Sequence, residues 1–168
     1  MNAGSAERTR DLLRSVLAAT PDGVMVFRGV RASGAIVDFE WVLINARGLA
    51  ILNKTGEDLI GRRLLEVFPG NREAGLLDAY IAVVETGERF ETVVPYRHDG
   101  LYTSFRLVAV PLGSDDGVTV TFEDVIDVVA GEVYAFDEGV EPGVASGGEA
   151  QDASGAPEAD PEGPAVVA

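Results

Sequence analysis

The sequence predicts an α+β domain: a five-stranded antiparallel sheet with short helices and one long helix on one face, plus an N-terminal amphipathic helix. Three observations predict it. Two apolar strand-like runs, 23–30 and 35–44, are joined by Arg31-Ala32-Ser33-Gly34. A helical stripe follows at Leu76, Leu77, Tyr80, Ile81 and Val84. Three further strand-like runs, 89–97, 101–112 and 117–127, are joined by His98-Asp99-Gly100 and Ser114-Asp115-Asp116-Gly117, and Asp-Gly pairs are favoured hairpin turns.

Taken in order, residues 6–19 read as a helix with Ser5 as N-cap and an apolar stripe of Leu12, Leu13, Val16 and Leu17. Thr20-Pro21 stops it, because a residue before proline avoids the helical region. In 23–30 both alternating phases are apolar (Val24, Val26 and Val30; Met25 and Phe27), as in a central strand covered on both faces. In 35–44, Val37, Phe39, Trp41 and Leu43 point one way. Asp38, Glu40, Val42 and Ile44 point the other, which places the two acids on a solvated face.

Residues 45–53 fit a short helix. Thr55-Gly56-Glu57-Asp58 has the spacing of a capping box with Asp in place of Glu and opens a turn closed by Gly61. Arg62 to Val67 reads as another turn before Pro69. Asn71 is a candidate cap for the long helix, expected over 72–85 and ended by Gly87. In the last strand Val118, Val120 and Phe122 alternate with Thr119, Thr121 and Glu123, one face buried and one wetter. The 128–138 stretch reads either as an extension of the sheet or as a short sticky peptide.

Charge divides the chain. Of the net −15, the segment from Gly131 onward carries −9 with no basic residue, leaving −6 for the first 130 residues. Three parts are expected: an N-terminal helix (1–21), a folded domain (22–130) and an acidic, mostly disordered tail (131–168) too poor in apolar residues to offset ordering entropy. The negative balance argues against binding nucleic acid or an anionic membrane. No apolar run approaches the roughly 20 residues of a membrane helix. The N-terminus lacks a signal-peptide core, so the expected location is cytoplasmic. The chain has no Cys, which excludes disulfides, thiolate catalysis and Cys-based metal sites.

The arrangement resembles the PAS domain family. The residues that carry the resemblance are Asp22-Gly23-Val24, Asn45-Ala46, Leu59-Ile60-Gly61-Arg62 with Leu64-Leu65-Glu66-Val67-Phe68-Pro69, Val84-Glu85-Thr86-Gly87-Glu88, and Val118-Thr119-Val120-Thr121-Phe122-Glu123-Asp124-Val125. The resemblance implies a helical cup on a five-stranded sheet, signal sensing, a homodimer, or a signalling-protein partner such as a histidine kinase. It argues against a covalent flavin or coumaroyl chromophore, which needs a Cys. It argues equally against haem, commonly held by a His on the long helix; the chain's one His, His98, lies in a hairpin. A noncovalent flavin or another small ligand stays open. Asp124-Val125-Ile126 lacks the Thr with which many members close, and no effector module follows, so the reading is a stand-alone member.

Candidate residues follow. Phe39, Trp41, Leu43, Asn45, Tyr80, Phe90, Phe105, Leu107 and Phe122 are candidates to line a ligand pocket. The plainer reading is that the apolar ones fill the core and that Asn45 caps a helix. Trp41 and Tyr80 stand out because each has a polar end that wants a partner when buried. Leu12, Leu13, Val16 and Leu17 must dock on something, either the outer sheet face at Val42, Ile44, Val108 and Val110 or the same surface of a second copy. Arg62, Arg63 and His98 read as exposed turn residues. Rival readings are a ligand-free scaffold and a small enzyme using a carboxylate base; no nucleophile, phosphate loop or metal motif favours the latter.

Overall fold

The computed structural model of the chain describes residues 3–113, 116–125, 128–129 and 132–133. Helix α1 (Ala3–Ala19) precedes strands β1 (Gly23–Ala32) and β2 (Ala35–Ile44). Short helices α2 (Ala46–Leu52), α3 (Gly56–Leu59), α4 (Leu64–Val67) and α5 (Gly70–Glu73) lead to α6 (Leu76–Thr86). Strands β3 (Phe90–His98), β4 (Leu101–Pro111) and β5 (Gly117–Val125) complete the fold. The sheet order is β2-β1-β5-β4-β3, antiparallel throughout. The first strand therefore lies inside the sheet, as its two apolar phases require. Two short strands, β6 (Val128–Val129) and β7 (Glu132–Val133), pair with each other and not with the main sheet. The rest of 128–138 and the acidic segment beyond it lie outside the described residues.

Local chemistry sets the turns. Ser33 and Gly34, and again Asp99 and Gly100, adopt positive φ at consecutive positions, the geometry of two-residue hairpins that matches strand twist. The Asp58 carboxylate accepts from both the backbone N–H and the hydroxyl of Thr55 at 2.8 Å, closing the capping box. These bonds hold its pKa below the usual carboxylate value.

The long helix departs from expectation. Gly75 takes a left-handed φ of 75° and separates α5 from α6, so α6 starts at Leu76 and not at 72. Asn71 does not cap it. Its side chain, buried in α5, donates instead to Phe68 O and to Tyr96 Oη, each at 3.1 Å. Gly87 ends α6 as expected, with its N–H on Val83 O.

Strand β2 carries two bulges. Val37 has no partner between the pairs Val30–Asp38 and Arg31–Ile36, and Val42 has none between Phe27–Trp41 and Val26–Leu43. Each extra residue reverses the alternation. Ile36, Phe39, Trp41 and Ile44 thus face the helices, whereas Val37 and Leu43 do not.

The core lies between the sheet and α2–α6. Phe27, at the centre of β1, is fully buried and touches the rings of Phe39, Trp41 and Tyr80 at centroid distances of 6.1, 4.5 and 6.0 Å. Helix α1 has no fully buried residue: Leu12 is 65% and Val16 54% exposed, and only Leu17 of the stripe is half-buried. Leu12, Leu13 and Val16 are therefore not covered by the chain's own sheet. The helix meets the domain where Asn45 Nδ2 donates to Leu17 O at 3.2 Å.

Candidate functional site

A partly open cavity lies between the sheet and the helices. Strands β1, β2, β4 and β5 contribute Met25, Trp41, Phe105, Leu107 and Phe122; the helices contribute Leu52, Leu64, Asn71, Leu76 and Tyr80; Phe68, just after α4, Tyr96 and Leu101 complete the wall. Its volume is about 40 Å³, against the roughly 10–15 Å³ that one water needs. No lining residue is a His or Cys that could ligate iron.

The wall is apolar apart from four side chains. Trp41 is 1% exposed, and its Nε1 is the one buried side-chain polar atom without a hydrogen-bond partner among the described residues. Asn71, Tyr96 and Asp99 form a connected group. Tyr96 Oη donates to Asp99 Oδ2 at 2.5 Å and accepts from Asn71 Nδ2, while Asp99 also accepts the Gly70 N–H at 3.1 Å. This ties α5 to the β3–β4 hairpin. The approach is close: a Cβ on Gly70 would fall 2.1 Å from His98 Cβ, so only glycine fits. Tyr80, the fourth polar side chain of the wall, to which Asp99 does not belong, is buried in the aromatic cluster.

Burial pushes the Tyr80 phenol well above its ordinary value, and burial together with the Asp99 hydrogen bond does the same for Tyr96. The stability consequence has a definite sign. The unfolded chain loses these protons first, so their contribution is complete below the ordinary phenol value near 10 and is lost as pH rises above it. In an alkaline titration followed at the phenolate absorbance, Tyr80 and Tyr96 are expected to stay silent until the chain unfolds. Their ionisation in the native protein, with circular dichroism unchanged, would count against the burial described.

The structure brings Trp41, Tyr80, Phe105, Leu107 and Phe122 together in the cavity wall and leaves four pocket candidates outside it. Phe39 is fully buried but packs on Phe27 and Tyr80. Leu43 lies beyond the Val42 bulge, opposite Val26 and away from the helices. Asn45 is taken up as a cap: its Oδ1 accepts from Gly48 N and Val24 N, both at 2.9 Å. Phe90 packs against the core from the edge strand β3.

Among the interface candidates, Ile44 is corrected: it packs against the core, beside Gly48. Val42 and Val110 are exposed and Val108 is half-buried. Asp38 is corrected too. It is 7% exposed, and its Oδ1 accepts from Phe39 N at 2.7 Å and Leu65 N at 3.2 Å, because α4 lies over it. Both bonds are structural. His98 is half-buried, its ring 5.4 Å from Tyr96 and its Nδ1 3.3 Å from Glu73. Arg62 and Arg63 are exposed, and Arg62 pairs with Glu66.

Sequence reasoning missed Tyr96, Asn71 and Phe68. Tyr96 was legible: it shares the phase of Phe90, Thr92 and Val94 along β3. Asn71 was read only as a cap. Among the described residues, no group of three or more His, Asp or Glu side chains could hold a metal ion, and no helix is long and apolar enough to cross a membrane.

Several solved structures share the fold. One is a domain of a sensory box sensor histidine kinase/response regulator from Geobacter sulfurreducens, at 18% identity over 69% of this chain and 94% of that one, with a TM-score of 0.50. A second is the PAS domain of BvgS from Bordetella pertussis, at 15% identity over 72% and 89%, with a TM-score of 0.52. A third is a LOV protein from Rhodobacter sphaeroides, at 13% identity over 71% and 68%, with a TM-score of 0.54. No curated protein matches the sequence. A family model described as "PAS fold" matches residues 35–130, more than half the chain and most of the sheet and helices just described. The chain belongs to the PAS fold family.

Proposed function

We propose that this chain is a sensory and interaction module of signal transduction, working in the cytoplasm. It would bind a small ligand in the cavity and report through contacts with a second copy or a signalling-protein partner, with no catalytic step of its own. The observation that carries the reading is the relation between cavity and helix along one strand. Strand β2 places Trp41 in the cavity wall; four residues on, Asn45 holds Leu17 O at the end of α1. Ligand occupancy that shifts β2 would therefore bias the seating of α1, whose stripe of Leu12, Leu13 and Val16 is uncovered. The neighbouring outer sheet face, with Val42, Val108 and Val110, is the natural counterpart for that stripe on a second copy.

Two measurements test this. Native mass spectrometry of the full chain purified from cells should show a reproducible bound small molecule. Deleting residues 1–20 should convert dimer to monomer in sedimentation, or abolish capture of the partner. Unchanged sedimentation and unchanged capture after the deletion would remove α1 as the output element. One observation favours a second reading, a ligand-free scaffold: the cavity is small within a core that is otherwise well filled. Consistently ligand-free protein in the mass spectrum would favour it.

A further inference from the structure

We propose that the cavity takes a small aliphatic alcohol, whose hydroxyl accepts from the Tyr80 phenol and donates to Asn71 Oδ1. The inference rests on reading the cavity as a ligand site and adds the chemical class of the ligand.

Tyr80 lines the cavity and is 1% exposed. The rings of Phe27 and Phe39 pack on it at centroid distances of 6.0 and 6.2 Å. No described residue hydrogen-bonds its hydroxyl, and burial alone accounts for the rise in its pKa. Unlike Trp41 Nε1, which water cannot reach, Tyr80 Oη is not sealed. Because the aromatic cluster wraps the rest of the residue, the surface its hydroxyl keeps opens on the cavity. Asn71 is the second open group of the wall. Its Nδ2 is spent on Phe68 O and Tyr96 Oη, whereas its Oδ1 accepts no bond from any described residue and is not sealed either. Tyr96 Oη stands beside both groups. Asn71 bonds it, and after burial and Asp99 the Tyr80 phenol adds to the rise in its pKa.

A phenol hydroxyl can donate or accept, and an amide oxygen can only accept. An alcohol O–H serves both at once. A ketone serves Tyr80 alone, and a hydrocarbon serves neither, so each leaves a polar group of the wall without its bond. No Lys, Arg, His, Asp or Glu lines the cavity, so an ion inside would be buried without a partner. Leu64, Leu76, Leu107 and Phe105 supply an apolar surround for the alkyl part. The volume of about 40 Å³, at 10–15 Å³ for each water-sized group, holds roughly three or four heavy atoms.

The chain has two methionines, Met1 and Met25, and Met25 lines the cavity, so methyl labelling places one signal at the site. Full-length protein ¹³C-labelled at the Met methyls and the Tyr ζ carbons is titrated with 1-propanol, acetone and propionate. The alcohol is expected to move the Met25 methyl and the Tyr80 ζ signal, and to bind roughly three- to tenfold more tightly than acetone, the effect of one net hydrogen bond. Propionate is expected to leave both signals in place. Tyr80→Phe removes only the hydroxyl and identifies the Tyr80 signal; it should weaken binding of the alcohol by a similar factor. Unweakened binding in that variant overturns the anchor. If the variant does not fold, the Tyr ζ signals of the unaltered chain decide. Equal binding of alcohol and ketone with those signals unmoved overturns the ligand class and leaves the sensory reading standing. Tightest binding by propionate overturns the class as well. A Met25 methyl that none of the three moves removes both the class and the cavity as a ligand site.

Discussion

Replacing Phe27 with alanine is expected to lower the unfolding free energy by about 4 kcal/mol, in the upper range for a large-to-small change in a core. The side chain is completely buried on a strand flanked by β2 and β5. Its ring is the common neighbour of Phe39, Trp41 and Tyr80. Truncation removes apolar area from the core and leaves a void beside an existing cavity. Strand pairing on both sides prevents the backbone from closing over that void. Phe27→Leu, which keeps most of the volume, should cost less than half as much. Urea unfolding followed by circular dichroism gives both values. Near-equal midpoints for the two variants would mean that the helices can collapse inward and that the aromatic cluster is looser than described.

Asn45→Ala is expected to cost about 3 kcal/mol, more than a surface helix cap does. This one side chain joins four segments. Its oxygen accepts from Val24 N and Gly48 N, and its amide donates to Asp22 O and Leu17 O at 3.0 and 3.2 Å. Alanine leaves two backbone N–H groups without an acceptor in a buried setting, and unmade bonds of that kind dominate the loss. Asn45→Asp separates the roles. It keeps both acceptor contacts and loses only the donors, so it should restore most of the stability while loosening the end of α1. Hydrogen exchange of the α1 amides would report that loosening. Equal destabilisation by Ala and Asp would show that the donors to Asp22 and Leu17 dominate.

Much of this architecture was legible in the residues. The hairpins were announced by Asp-Gly and Ser-Gly, the second short helix by its capping box, and the interior strand by its double apolar phase. These signals are local, and local chemistry decided them. The readings that failed are those where a distant contact prevails. A strict period of two along β2 put Leu43 on the cavity side and Ile44 outside. The bulges at Val37 and Val42 reverse both, and no composition signal marks them. Asp38 looked solvated because its cover comes from Leu65, far along the chain. Asn71 offered a cap, but Tyr96 and the left-handed turn at Gly75 claimed that segment for another purpose. The short helices bring Leu52, Leu64 and Asn71 to the cavity wall, and their apolar residues are too few per turn to show a face.

The segment that runs beside β2 has a consequence for how the protein behaves in concentrated solution. Gly61 N donates to Trp41 O and Trp41 N donates to Arg62 O, and a single bridge joins Glu40 to Arg63. That outer margin of the sheet is thereby furnished with a partner from its own chain, and the two bulges spoil what flat ladder is left. At the opposite margin Pro95 interrupts β3, and Glu91 and Arg97 flank it with charge. Neither border offers an incoming strand a long, straight template. Fibre growth by edge-to-edge stacking is thus discouraged at both ends, and assembly is steered to faces, where it can be finite and reversible.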